Sequence, residues 1–405
     1  MERPLKVPLG WPHQGGYFVK CLLLALFLLA NSAVTATADI DLRIVYLHHE
    51  QDRPPVLSNL SAPPEDLGQA GAELAIRDSM TTGRFLGHKY ALELITVAAQ
   101  ADILPVARAA LERSQMLVLD MPGAEMQAIA DLPGAQNALL FNATDPSPAL
   151  RDADCRANLF HTLPSQTMRA DALMQFVQSK RWSKLALIAG THPGDQAWAD
   201  ALDRSARKFG LKIGAQKTWA FDADMRRNAA QEVPLFTQDL GTYDLLLVAD
   251  ELNDFARYIP FNTWLPRPVA GSTALVPVAW DRVVEQWGAV QMQNRFHEQS
   301  GRAMQPEDYA AWAAIRSLSE AATRTGSSDP ATLRAYLLSE TFQLAGFKGR
   351  PLSFRPWNGQ LRQPIALVSG QALVAQAPLP GFLHQVSEMD TLGLDRPETK
   401  CEAFE

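Results

Sequence analysis

The sequence predicts an α/β fold with two doubly wound lobes, each built on a parallel sheet. From Asp39 onward, short apolar runs of strand character alternate with longer segments of helical period, as in parallel βα units. The same alternation of strand and helix segments begins again after Cys155. A chain of 405 residues is long enough for two such lobes with substantial hydrophobic cores.

The first series predicts four strands separated by helices. The strands are expected at residues 42–47, 92–97, 116–119 and 138–141. Leu67, Gly71 and Leu74 recur on one helical face and predict a helix over residues 64–80. Apolar spacing over residues 104–111 marks the next helix, and a short third helix precedes the last strand.

The second series predicts strands at residues 159–163, 185–189, 245–249 and 269–271. Ser165 is expected to cap its first helix, and a second helix is expected over residues 195–209. Three more helices are predicted over residues 281–299, over 306–325, and after Asp329 as N-cap with Pro330 at the first helical position. A small antiparallel finish follows, with strands at 352–354, 365–368 and 373–375 and a hairpin turn at Asn358-Gly359.

The first 38 residues predict a cleavable export signal. Lys20 precedes a run of ten apolar residues at 21–30, and the small-residue cleavage site Ala36-Thr37-Ala38 follows. A membrane anchor is the alternative, but a bilayer crossing needs about 20 apolar residues. No lipid anchor is expected, because Cys21 opens the apolar run and does not lie at the cleavage site. The sequence therefore predicts a periplasmic protein that starts at Asp39.

Composition and motifs narrow the function. The chain carries 37 Lys and Arg against 44 Asp and Glu, a formal net charge of −7, which disfavours nucleic acid as a partner. The sequence lacks G-x-S-x-G, H-E-x-x-H, P-loop and G-x-G-x-x-G signatures. We therefore predict that the protein is not an enzyme and that it binds no cofactor.

Two cysteines, Cys155 and Cys401, follow the signal, and an oxidising compartment favours a disulfide between them. Two buried free thiols are the alternative.

Candidate ligand contacts lie in the loops just after the predicted strands, because ligands of parallel α/β lobes bind at the carboxyl ends of strands. These candidates are His48, His49, Glu50, Asp120, Met121, Asn142, Thr144, Asp145, His192, Asp195, Asp250, Glu251, Ser272, Thr273 and Trp280. A metal site at His48-His49-Glu50 is disfavoured, because neighbouring residues of a strand point to opposite faces.

The order of these elements resembles the branched-chain amino acid type of periplasmic substrate-binding protein, the type I fold that serves ABC transporters. Four motifs carry the resemblance: residues 70–75 (Ala-Gly-Ala-Glu-Leu-Ala), residues 182–188 (Trp-Ser-Lys-Leu-Ala-Leu-Ile) before the loop at residues 189–195, residues 309–318, and residues 352–354 followed by Asn358-Gly359. More narrowly, the chain looks like the subgroup associated with PQQ-dependent alcohol catabolism.

The resemblance implies two lobes that close over a small molecule, with three chain crossings at a hinge near residues 155–162, 277–284 and 347–354. It implies a first lobe of residues 39–157 and 280–348, a second lobe of residues 158–279 and 349–385, and a tail of residues 386–405 near the hinge. That topology gives Cys155 and Cys401 a reason to meet. It also implies a monomer that partners a membrane ABC permease and its ATPase.

The resemblance also implies which residues would hold a ligand. Family members hold an amino acid carboxylate with hydroxyls and backbone amides of the first lobe, and its ammonium with an acid of the second. Asn142 and Thr144 fit the first part, and Asp250 or Glu251 fits the second.

One loop departs from the family pattern. The family's glycine and hydroxyl run is replaced here by Asp120-Met121-Pro122-Gly123-Ala124, whose acid would repel a carboxylate ligand unless it is protonated or paired. A neutral alcohol-derived or aromatic compound, or a cation, is therefore expected in preference to a branched-chain amino acid. A periplasmic sensor subunit and an exported enzyme are the alternative functions.

Overall fold

The computed structural model describes residues 40–52, 62–220 and 225–404. Two parallel sheets organise these residues, so the predicted α/β fold with parallel-sheet lobes is confirmed. The export signal predicted over residues 1–38 lies outside the described residues. None of the helices in the described part of the chain has the length and apolar character that a bilayer crossing requires.

The first sheet has five parallel strands in the order β2-β1-β3-β4-β5. The strands are β1 (Asp41–His49), β2 (Lys89–Val97), β3 (Met116–Asp120), β4 (Leu139–Asn142) and β5 (Leu159–His161). The helices between them are α1 (Gln69–Leu86), α2 (Ile103–Arg113) and α3 (Gly123–Ala130). Strand order reverses between β1 and β3, and their register pairs His48 with Asp120 at the carboxyl ends.

The second sheet has four parallel strands in the order β7-β6-β8-β9. Its elements are α4 (Gln166–Ser179), β6 (Lys184–Ala189), α5 (Pro193–Lys208), β7 (Lys212–Thr218), α6 (Met225–Gln238), β8 (Leu245–Ala249) and β9 (Val269–Gly271). Ser165 caps α4 as predicted, because its side chain accepts a hydrogen bond from the Met168 amide. Here strand order reverses between β6 and β8.

The rest of the chain packs on these two sheets. It contains β10 (Val276–Val278), α7 (Ala289–Ser300), α8 (Pro306–Thr325), α9 (Pro330–Leu337), β11 (Leu344–Ala345), β12 (Pro351–Phe354), β13 (Leu361–Arg362), β14 (Ile365–Ser369) and β15 (Ala372–Ala377). Strands β10, β14 and β15 form one antiparallel sheet, and β11, β12 and β13 form another.

Alternation along the strands divides the hydrophobic core. Ile44 and Tyr46 of β1 pack with α1, α7 and α8 on one face of the first sheet, whereas Val45 and Leu47 pack with α2 and α3 on the other. Because strand side chains alternate between faces, one strand serves two layers of helices. Two further clusters cover the two faces of the second sheet in the same way.

Strand β14 lies between the two lobes. Ile365 and Leu367 join the core of the second lobe, whereas Ala366 and Val368 join the core of the first. The period of two in a strand thus connects both cores through one segment.

Three elements of the structure differ from the sequence prediction. The helix expected over residues 281–299 starts only at Ala289, because Trp287 and Gly288 have φ angles of 56° and 82°, which end a right-handed helix. Strand β7 was not predicted, since it is an edge strand whose residues alternate between partly buried and exposed. Helix α6, which contains Pro234, was also missed.

Two segments join the first lobe instead of the second. Strand β5 was predicted to open the second series, but its residues pair with β4 in the first sheet. Leu352, Phe354 and Leu361 belong to the core of the first sheet, so the third crossing follows Leu361 and comes later than predicted. In both cases apolar side chains complete a core that was already formed by earlier strands.

The predicted disulfide is confirmed. Cys155 and Cys401 are bonded, with their Cα atoms 5.7 Å apart and a sequence separation of 246 positions. Phe404 packs edge-on against Phe160 of β5, with ring centroids 6.0 Å apart. The bond therefore fixes the end of the chain beside the first crossing between the lobes.

Candidate functional site

A cavity of about 320 Å³ lies between the two lobes, at the carboxyl ends of both parallel sheets. The first lobe contributes Thr144, Pro146, Pro306 and Glu307, the second contributes Arg169, Asp250, Glu251, Asn253 and Ser272, and the connections contribute Leu163, Pro164, Val276, Pro277, Val278 and Ala279. In open α/β sheets, ligands bind in the crevice beside the point where strand order reverses. Four predicted residues line this cavity: Thr144, Asp250, Glu251 and Ser272.

Arg169 and Glu251 form an ion pair on the wall of the second lobe. Arg169 Nη1 donates to Glu251 Oε2 at 2.8 Å and Nη2 lies 3.4 Å from Oε1. Arg169 Nε donates to the Pro277 carbonyl at 3.2 Å, and its guanidinium lies 4.5 Å above the Trp198 ring. Ser272 Oγ donates to Glu251 Oε1 at 3.0 Å. Apart from each other, the two charged groups are therefore held in place by three neighbours: Pro277, Trp198 and Ser272.

Asp250 shapes the loop after β8. Its carboxylate accepts hydrogen bonds from the backbone amides of Asp254, Phe255 and Ala256 at 3.0, 2.7 and 2.6 Å. Asp195 acts in a similar way, since its side chain accepts from the Glu251 amide at 2.7 Å. Both of these predicted residues use their carboxylates to fix the backbone around Glu251, and Asp250 also lines the cavity.

The loop after β4 is held by its own side chains. Asn142 Oδ1 accepts from the amides of Thr144 and Asp145, at 3.1 and 2.8 Å. Asp145 accepts from the amides of Gly123 and Ser147, each at 2.7 Å. Asparagine and aspartate commonly satisfy turn amides in this way. The Asn142 and Asp145 side chains are thus engaged, and Thr144 alone of these three lines the cavity.

Asp120 is paired inside the first lobe. Tyr46 Oη and His48 Nδ1 both donate to Asp120 Oδ2, each at 2.7 Å. Burial raises the pKa of the Tyr46 hydroxyl well above its usual value, and the charge of Asp120 raises it further. Asp120 is therefore paired with two donors, and pairing is one of the two conditions under which this acid would not repel a ligand carboxylate.

Glu307 is a cavity residue that sequence reasoning missed. It occupies the first turn of α8, directly after Pro306. Helix α1 packs very closely against the start of α8, since a Cβ atom at Gly71 would lie 1.9 Å from the Asp308 carbonyl oxygen. Burial raises the pKa of the Glu307 carboxyl, and the charges of Asp308 and Asp120 also raise it. A possible sequence signal was a charged first turn following a proline.

Other predicted residues lie elsewhere. His49 is buried and donates to Glu125 at 2.7 Å, and His192 contacts Asp254 at 2.9 Å. Trp280 is buried and stacks on Tyr309, with centroids 4.7 Å apart. Three further candidates do not line the cavity: Glu50, Met121 and Thr273. Within the described residues, no group of three or more His, Cys, Asp and Glu side chains is arranged to hold a metal ion.

The chain is similar to a known protein family and to solved structures. Residues 55–226 match the family described as periplasmic binding protein. A branched-chain amino acid ABC transporter periplasmic ligand-binding protein from Burkholderia xenovorans superposes with a TM-score of 0.67 at 17% identity, over 90% of this chain and 100% of that one. The chain has the type I periplasmic binding protein fold.

Two further solved structures share this fold. A periplasmic binding protein from Burkholderia mallei matches with a TM-score of 0.64 at 14% identity, over 91% of this chain and all of that one. An ABC transporter solute binding protein from R. palustris, in complex with benzoate, matches with a TM-score of 0.60 at 14% identity, over 89% and 99%. No curated protein matches the sequence. The cavity between the two lobes therefore occurs in a chain with a periplasmic binding protein fold.

Proposed function

We propose that this chain is a periplasmic solute-binding protein that holds a small molecule between its lobes and delivers it to an ABC permease. The observation that carries the proposal is the cavity of about 320 Å³ that both lobes line. Pockets for small ligands typically measure about 300–1,000 Å³ and combine apolar walls with a few polar groups. The predicted export signal and the disulfide support the periplasmic location. We further propose that the protein is a monomer.

A variant that fills the cavity tests the binding site. In a thermal-shift screen of small molecules, we expect any compound that raises the Tm of the wild type to leave Thr144→Trp unchanged. Binding to the native state alone raises apparent stability. Thr82→Trp is the matched control, because Thr82 lies on the exposed face of α1, and it is expected to respond like the wild type. A compound that stabilises Thr144→Trp equally binds outside the cavity and contradicts the proposal.

Delivery to a permease is tested separately. We expect the ligand-bound protein to stimulate ATP hydrolysis by the transporter encoded beside its gene, reconstituted in proteoliposomes, whereas Thr144→Trp gives no stimulation. A ligand can have this effect if it shifts the binding protein to a closed state for which the transporter has a different affinity than for the open state. Neighbouring sensor-kinase genes and the absence of stimulation would instead favour a sensor subunit.

We also propose a role linked to PQQ-dependent alcohol catabolism. This part rests on the sequence resemblance to that subgroup and on the Asp120 loop, which departs from the amino acid binders. The solved neighbour from R. palustris, in complex with benzoate, supports a ligand other than an amino acid in this fold.

A further inference from the structure

The side chains that line the cavity carry an excess of negative charge. One cation, Arg169, faces three acids, Asp250, Glu251 and Glu307. Asp250 is occupied by three backbone amides, so the charge balance is decided by Arg169, Glu251 and Glu307. Because opposite charges attract strongly where water is excluded, this imbalance affects which ligands enter.

Arg169 is not a free receptor for an anion. Its contacts with both oxygens of Glu251, with the Pro277 carbonyl and with the Trp198 ring neutralise and orient the guanidinium. A ligand carboxylate would have to compete with Glu251 for this cation. Breaking a partly buried charge pair leaves one charge without its partner, which is unfavourable.

Four backbone amides of the first lobe that could bind a carboxylate are already used. In the loop after β4, the side chains of Asn142 and Asp145 accept the hydrogen bonds of the backbone amides of Thr144, Asp145, Ser147 and Gly123. Anion sites depend on such backbone donors pointing at the ligand. Here these donors are used within the protein.

Glu307 differs from the other acids of the cavity. Its carboxylate lines the cavity and accepts a hydrogen bond from its own backbone amide, but it forms no ion pair and no side-chain hydrogen bond with the other residues that the structure describes. The rest of the cavity lining includes several apolar residues, among them Pro146, Leu163, Pro306 and Val276. Desolvating a carboxylate without a cationic partner is costly, and a ligand cation reduces that cost.

We propose that the ligand is a small organic cation, a primary amine with an apolar body and no carboxylate, whose ammonium is held by Glu307. The proposal rests on the function proposed above, because it names the ligand class of the same cavity. The ammonium donates to Glu307 in a charge-assisted hydrogen bond. The apolar body packs against the prolines and valines of the connecting segments.

A matched ligand series tests the charge requirement. The probes are 3-methylbutylamine, 3-methyl-1-butanol, 3-methylbutanoate and leucine, which share an isobutyl group, and phenethylamine, 2-phenylethanol and phenylacetate, which share a benzyl group. Leucine is 3-methylbutylamine with a carboxylate added at the carbon that bears the amine. By isothermal titration calorimetry we expect the amine of at least one set to bind about tenfold or more tightly than its alcohol, carboxylate and amino acid counterparts, as a charge-assisted contact predicts. Tighter binding by leucine, an alcohol or a carboxylate overturns the inference.

Two variants locate the contact. Glu307→Gln is expected to remove the preference for the amine over the alcohol, whereas Glu298→Gln, at an exposed position of α7, retains it. An amine preference that survives Glu307→Gln overturns the role of this residue, and so does the absence of binding by every probe. The Thr144→Trp experiment does not depend on ligand charge, so failure of the proposed function is recognised separately.

Discussion

Replacing both Cys155 and Cys401 with serine is expected to lower the free energy of unfolding by about 3–5 kcal/mol. The bond joins residues separated by 246 positions, so it closes a very long loop in the unfolded chain. In the chain-entropy description, the stabilisation by a disulfide grows with the length of that loop. Urea denaturation of the double variant and the wild type, followed by circular dichroism, measures the difference.

A reductant supplies the control for this prediction. Dithiothreitol is expected to lower the urea midpoint of the wild type towards that of the double variant and to leave the double variant unchanged. Equal midpoints for the two proteins without reductant would show that the bond does not contribute to stability. Both cysteines are buried, so a serine hydroxyl at each site contributes a small additional loss.

The sequence was most informative where periodicity and capping agreed. The predicted bounds of α8, residues 306–325, match the structure, because Pro306 begins the helix and Gly326 ends it in a left-handed conformation. Asp329 and Pro330 locate α9 for the same reason. Apolar central strands such as β6 and β8 were also recognised, since buried parallel strands are continuous apolar runs.

Elements without such signals were missed. Strand β7 lies at the edge of its sheet, where Lys212, Gln216 and Lys217 reduce its apolar character. The assignment of β5 to the first sheet depends on a long-range pairing with β4, which no local pattern reveals. Topology therefore had to come from the resemblance rather than from periodicity.

The candidate site, like the fold, was predicted only in part. The loops after β4, β8 and β9 were predicted from the rule that ligands bind at the carboxyl ends of strands, and these loops line the cavity. The roles of their side chains were not predictable, because Asn142 and Asp250 are used by backbone amides a few residues away. Arg169 and Glu307 were missed because they lie on helices that reach the cavity only after folding.

The largest effect of a single substitution is expected at Asp390, which lies in the tail and is fully buried. Its Oδ1 atom accepts hydrogen bonds from Arg355 Nε at 2.9 Å and from Arg362 Nε at 2.8 Å. Arg355 also donates to the carbonyls of Met389, Leu392 and Leu394. Burial lowers the pKa of the Arg355 guanidinium, which the charge of Asp390 opposes. One carboxylate therefore compensates two cations in the interior.

Asp390→Ala is expected to lower the free energy of unfolding by about 3–5 kcal/mol, because removing one partner of a buried ion pair leaves an uncompensated charge. Asp390→Asn keeps the oxygen that accepts both hydrogen bonds and is expected to cost less, which provides a folded protein if the alanine variant does not fold. The control is Asp203→Asn, whose ion pair with Arg207 is exposed on α5 and is worth at most about 1 kcal/mol. If urea denaturation shows equal losses for Asp390→Ala and Asp203→Asn, the tail is not held by this charge. Arg355 and Arg362 directly follow Phe354 and Leu361, two residues of the first-lobe core. A larger loss at Asp390 therefore means that these arginines anchor the tail to the first lobe by electrostatics, in addition to the covalent bond at Cys401.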